Sequence, residues 1–254
     1  MVIMLLLLFI VGTFFGSFYT CIANRLSKNE SIIKPGSHCE NCNHRLTWYE
    51  LIPVFSFIIQ GGKCRKCKIK LSYEYLITEI VTGILFAFSF YIYEFSYQTL
   101  IMIILSSLMV TVFISDFKYL IILDEVLIPS IILSIIVLYF IGGFELILSS
   151  LIRGVVLFIV LLIIKLLGDK VFKQESLGWG DVKLSFLAGL LLGFKLGLVY
   201  LFLGALIALP YGIISKHFKK EALMPFGPFL MISLYVIYTI PSWFNMILQV
   251  LIGV

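Results

Sequence analysis

An all-α fold of about eight transmembrane helices, with one small polar domain between the first and second, is the architecture this sequence predicts. Three observations predict it. Hydrophobic residues make up 61% of the 254 and charged residues only 13%, with a mean hydropathy of +1.10, which leaves too little polar surface to cover a soluble globule of this size. Apolar runs of about twenty residues recur without the alternating polarity of barrel strands, and in lipid only helices and closed barrels satisfy every backbone polar group. The remaining polar residues gather in one stretch, 25–72, that interrupts the runs.

Residues 1–24 form the first run. No Lys or Arg precedes it, while Arg25 and Lys28 follow it, so it reads as a retained helix with its N-terminus outside rather than as a signal peptide. Gly12 and Gly16 make a small-xxx-small pair that lets a neighbouring helix approach closely. Nine Lys and Arg then appear between Arg25 and Ser72, with Pro35, Gly36, Pro53, Gly61 and Gly62 as turn punctuation. Further runs follow at about 74–95, 97–115, 120–143, 145–168, 182–194, 196–215 and 224–247. The expected organisation is a first helix at 1–24, a polar domain at 25–72 and a seven-helix membrane domain at 73–254. The sixth run is short, about 20 Å of helix against a hydrocarbon core of about 30 Å, so either Lys195 snorkels or the bilayer thins there, and the short helix also allows a water-filled notch beneath Asp181.

Of the nineteen Lys and Arg, all but Arg153 and Lys195 fall in 25–72 or around the loops after helices 3, 5 and 7. The positive-inside rule therefore places 25–72, 116–125, 169–183 and 216–223 in the cytoplasm and both termini outside. Because the net charge of +5 sets topology, nucleic-acid binding is not predicted.

Cys39-Glu40-Asn41-Cys42 and Cys64-Arg65-Lys66-Cys67 lie 21 residues apart, a spacing at which two knuckles hold zinc through four thiolates. Four sulfur ligands close the coordination shell, so the zinc is expected to be structural, standing in for the core that a small polar domain lacks. No βαβ pattern supports a redox reading of the pairs. His38 and His44 flank the first pair as bystanders, and Cys21 is a small packed residue.

Two acidic sites flank apolar runs at the cytoplasmic surface. One is Ser115-Asp116-Phe117-Lys118, with Asp124-Glu125 after it; the other is Gly178-Trp179-Gly180-Asp181. Gly178 and Gly180 lack Cβ atoms, which lets the backbone turn sharply and an extended chain lie against it. Two carboxylates in a partly desolvated site share a proton, one form activating water while its protonated partner polarises a carbonyl. That is aspartic-protease chemistry. Two other readings stand beside it: acids that cap helix ends in a zinc-stabilised membrane assembly subunit, and acids that bind protons or cations in a transporter. Asp124, Glu125 and Asp169 read as solvated helix ends.

Taken together, Gly16-Ser17-Phe18 with Arg25-Leu26, the paired cysteines, Trp48-Tyr49 with Ile52-Pro53, Glu79, Asp116-Phe117-Lys118, the run Gly178 to Leu184, and Pro225-Phe226-Gly227-Pro228-Phe229 resemble the type IV prepilin peptidases, bacterial members of the GxGD aspartic membrane proteases. The resemblance implies a multi-pass enzyme of the bacterial cytoplasmic membrane that removes the basic leader of prepilins and pseudopilins at the cytoplasmic face. It implies Asp116 and Asp181 as the catalytic pair, with Gly178, Gly180 and Lys183 supporting their loop. Asp124 matches a second family acid and is the runner-up partner; Leu123 replaces the usual proline before it. The resemblance also implies methylation of the new amino terminus from S-adenosylmethionine, with Gly16, Ser17, Arg25, Gly62 and Glu79 associated with that activity. No Rossmann-like glycine fingerprint for that cofactor is present, and Thr20, Leu51 and Gly61 stand where the family usually has Asn, Asn and Arg; peptidase activity without methylation is the corresponding alternative. Among the acids near the cytoplasmic loops, Asp169, Glu175, Asp124 and Glu125 would attract a basic leader, whereas the lysines there oppose it.

Overall fold

A computed structural model describes residues 1–218 and 224–252; Lys219 and Lys220 of the expected 216–223 loop lie outside them. The described residues are all-helical as expected, with two isolated β-bridges and no strands among them. The chain divides into two compact units, 1–99 and 100–254.

The first unit is built on α1 (Val2–Leu26) and α3 (Tyr73–Tyr93). Between them lie a 3-10 turn, Trp48–Leu51, and the short α2 (Phe55–Ile59). Small residues let α1 and α3 touch backbone to backbone. A Cβ on Gly12 would come within 2.7 Å of the Gly83 Cα, and one on Gly16 within 2.7 Å of the Thr78 carbonyl, as expected of a small-xxx-small seam. Thr20 and Thr78 close the seam with a hydroxyl contact of 2.6 Å. Ser72 caps α3 by accepting from the Glu74 N–H, satisfying one of the first-turn donors that a helix leaves open.

The second unit takes up α4 (Tyr97–Tyr119) from residue 100 onward and continues through α5 (Asp124–Phe172), α6 (Trp179–Phe218), α7 (Gly227–Thr239) and α8 (Pro241–Ile252). At 1.5 Å per residue, the 49 residues of α5 run to about 74 Å, more than twice a bilayer core. It is divided where Gly142 and Gly143 leave helical geometry, the latter at φ 67. Gly193, at φ 78, divides α6 in the same way. Glycine enters the positive-φ region of Gly143 and Gly193 without strain, and these breaks fall where the apolar runs read from the sequence change over. Among the described residues, five helices qualify as membrane spans by length and apolarity, or six counting the bent pair α7 and α8; dividing α5 and α6 at their glycines yields the eight apolar segments expected. The last of these differs from the uniform run read at 224–247. Its helices meet at 90°, because Pro241 donates no N–H and pushes Ile240 out of the helical region, to φ -131 and ψ 57.

Candidate active site and cysteine cluster

Asp116 lies in the last turn of α4 and Asp181 in the first turn of α6, and only 6% and 7% of their surfaces are exposed. Ionisable groups are placed at such depth near a membrane only where something holds them. Each carboxylate has one backbone donor. Gly227, opening α7, gives its N–H to Asp116 Oδ2 at 2.9 Å, and Gly178 gives its N–H to Asp181. Asp181 also sits at the positive end of its helix, where an acid is favoured. The two are near enough for the charge of Asp116 to act on Asp181.

Both glycines of the GxGD stretch serve close packing. Neither takes a positive φ. Gly180 is in contact with the chain itself: a Cβ there would meet the Ile122 Cβ at 2.7 Å, and one on Gly178 would meet Asp181 Oδ2 at 3.1 Å. Ile122 reaches a second notch, since a Cβ on Gly227 would lie 2.9 Å from its Cδ1 and 2.9 Å from Asp116 Oδ2. One isoleucine in the turn between α4 and α5 therefore sets the starts of α6 and α7 against each other, and these carry Asp181 and the donor to Asp116.

Of the acids read as solvated helix ends, Glu125 is exposed, while Asp124 and Asp169 have partners. Asp124, at the start of α5, pairs with Lys183 at 2.6 Å, both side chains being a little under half exposed. Asp169 accepts from the Ser176 N–H and hydroxyl at 2.6 and 2.8 Å. Tyr200, in the second arm of α6, is fully buried, lies within reach of the charge of Asp181, and has no hydrogen-bond partner for its hydroxyl among the described residues. Nothing in the sequence marks Tyr200, which lies beyond the kink at Gly193. Gly227 was legible only as part of a motif, without a role.

In the first unit the four cysteines converge, their sulfurs all within 4.8 Å of one another. Cys39 and Cys67 stand 3.8 Å apart, and Cys42 and Cys64 3.9 Å; a tetrahedron of zinc–sulfur bonds near 2.3 Å has edges of about 3.8 Å. The two knuckles repeat one geometry. The N–H groups of Cys39 and Cys64 donate to the carbonyls of His44 and Ile69, and Asn43 and Lys68, each four residues after the first cysteine of its pair, take φ 52 and 61. The Ile69 N–H and the Asn41 side chain hold the Cys67 thiol down to about 6, in the thiolate form that binds metal. The histidines are occupied elsewhere, His38 with the Gly36 carbonyl and His44 with Glu50. Hydrogen bonds from Thr47, its N–H foremost, hold the buried Glu50 carboxyl below its ordinary range.

The residues expected to bear on methylation do not form one cluster. Ser17 of α1 and Glu79 of α3 meet through a hydrogen bond, beside the seam glycine Gly16. Glu79 is buried and also accepts the Val54 N–H at 2.7 Å. Arg25 instead caps loop carbonyls, that of Pro35 at 2.7 Å, and Gly62, at φ 63, turns the chain against Phe57.

Residues 10–93 match the bacterial peptidase A24 N-terminal domain and residues 103–213 the type IV leader peptidase family. The chain is 31% identical to the prepilin leader peptidase/N-methyltransferase of Bacillus subtilis (strain 168) over 234 residues, 89% of this chain and 90% of that protein. It is 28% identical to the protein of that name from Vibrio cholerae, over 92% of this chain and 96% of the relative. For the Myxococcus xanthus protein of the same name the identity is 31%, over 74% of this chain and 56% of the relative, so this chain spans little more than half of that one. No solved structure matches.

Proposed function

The chain belongs to the type IV leader peptidase family, and on that premise we propose that it is a multi-pass membrane endopeptidase that removes prepilin leaders with Asp116 and Asp181 as its catalytic pair. The observation that carries the assignment is the pair of buried carboxylates within electrostatic reach of one another, each held by one backbone N–H. Both cannot ionise comfortably in a desolvated site, so they share one proton. The ionised partner takes a proton from water as the hydroxide adds to the scissile carbonyl carbon, and the protonated partner gives its proton to the carbonyl oxygen. Collapse of the resulting diol breaks the C–N bond, with the nitrogen taking up a proton from the pair. A prepilin offers a basic leader followed by an apolar helix. The positive-inside pattern puts the loops around Asp116 and Asp181 in the cytoplasm, where that leader is made.

The relatives' shared name adds N-methylation, which extends to this chain as methyl transfer to the newly freed amine; S-adenosylmethionine supplies the methyl group. In the first unit the buried Glu79 pairs with the half-buried Ser17, and a carboxylate there, when ionised, would meet a cationic donor. Cys39, Cys42, Cys64 and Cys67 fit zinc in spacing and geometry and would hold it as a structural ion. The test is to incubate the reconstituted protein with a prepilin and S-adenosylmethionine and weigh the product. Loss of the leader reports the peptidase and a further methyl mass the transferase; an intact prepilin refutes the proposal.

A further inference from the structure

The second unit buries a charge that the chemistry above does not use. Lys165, in the second arm of α5, is 1% exposed, and lysine is almost never so deep without partners. Its Nζ donates to the Leu177 carbonyl at 2.6 Å, pairs with Asp169 Oδ2 at 3.1 Å and stands 5.3 Å from the centre of the Trp179 ring, a cation–π distance. The end of α5 holds the residue before Leu177, because the Ser176 N–H donates to Asp169 Oδ1 and its hydroxyl lies in hydrogen-bond reach of that oxygen and of the Lys165 carbonyl. Gly168 makes room for it, as a Cβ there would come within 2.5 Å of the Ser176 hydroxyl. Residues 176, 177 and 179 are thus all fastened to α5, and Asp181 follows two positions later with the charge of Lys165 acting on it.

Stability alone does not account for this arrangement. Replacing a buried ion pair by apolar residues of similar volume is often neutral or stabilising, since desolvation offsets the attraction. Here the counter-charge stays viable without its partner, because the Asp169 side chain is 30% exposed and keeps its Ser176 donors. What an apolar residue cannot do is donate to the Leu177 carbonyl and hold the Trp179 ring by charge. Resting on the peptidase reading, we infer that Lys165 is a positioning residue for Asp181, anchoring the 176–179 segment so that α6 presents its carboxylate to Asp116 at one height.

The test compares Lys165→Met, which keeps the length of the stem and removes the charge, with the wild-type protein and Asp181→Asn on a prepilin substrate. Misplacement of a catalytic group by about an ångström costs about 100-fold, so K165M is expected to lose about 30- to 100-fold in kcat with KM nearly unchanged. Amide hydrogen exchange is expected to quicken in 177–182 and nowhere else. Wild-type kcat in K165M, or lost kcat with unchanged exchange in that segment, overturns the inference. Should K165M fail to fold, Asp169→Asn on the exposed side of the clamp is expected to lower kcat in the same sense by a few fold, and wild-type kcat there overturns it equally. A wild-type protein that leaves prepilin intact, or a D181N variant that cuts it, removes the peptidase reading instead.

Discussion

Gly227→Ala separates the geometry of the carboxylate pair from the stability of the fold. The added Cβ would lie 2.9 Å from Asp116 Oδ2, 2.9 Å from Ile122 Cδ1 and 3.1 Å from Val112 Cγ1, where ordinary contact begins at 3.4 Å. All three neighbours are ends of side chains, which retreat by a few tenths of an ångström at a cost of about 1 kcal/mol. In a chain of this length that lowers Tm by about 2–4 °C. The chemistry suffers more, because one of the atoms that must retreat is the oxygen that Gly227 itself holds at 2.9 Å. A shift of about half an ångström reaches the tolerance of a preorganised site, and a full ångström is worth about 100-fold. We expect kcat for prepilin cleavage to fall about 10- to 30-fold, with KM little changed and Tm nearly kept. Steady-state cleavage and a thermal melt on the same preparation measure both. A G227A enzyme with wild-type kcat refutes the role given to this glycine and the tight placement of Asp116.

Asp124→Asn is expected to retain most activity and stability, since its pair with Lys183 is nearly half exposed and such pairs contribute about 0.2–1 kcal/mol; a dead D124N variant in steady-state cleavage would make Asp124 the partner of Asp181 in place of Asp116. Metal analysis of protein prepared under reducing conditions should find one zinc per chain, and a chelator should open the 39–67 segment to proteolysis; a content far below one removes the zinc model. Glu79→Gln should abolish methyl incorporation while leader cleavage continues at the wild-type rate, and a variant that still methylates normally frees Glu79 of that role.

Much of this was legible because membrane physics writes itself into one-dimensional patterns. Hydropathy marks the spans, the small-xxx-small glycines mark the seam between α1 and α3, and the cysteine spacing marks a tetrahedral cluster. What was not legible depends on residues far apart in sequence meeting in space. The glycines of Gly178-Trp179-Gly180-Asp181 read as a turn that receives another chain, yet they receive Asp181 itself and Ile122, a residue no motif singles out. The donor to Asp116 comes from 111 positions away, and the charge beside Asp181 from a lysine that counts toward topology like any other. Asp124 and Asp169 looked like free helix ends because their partners, Lys183 and Ser176, arrive from the neighbouring helix and loop.

The central claim is that two carboxylates, Asp116 and Asp181, act as one unit, and mass spectrometry of a prepilin incubated with the Asp116→Asn and Asp181→Asn proteins tests it most directly. Asparagine keeps the size of each side chain and removes both the base and the shared proton. The account predicts that each single variant, folded to the wild-type melting temperature, leaves the prepilin at full mass. A product lacking its leader, formed by either variant at the wild-type rate, would contradict it.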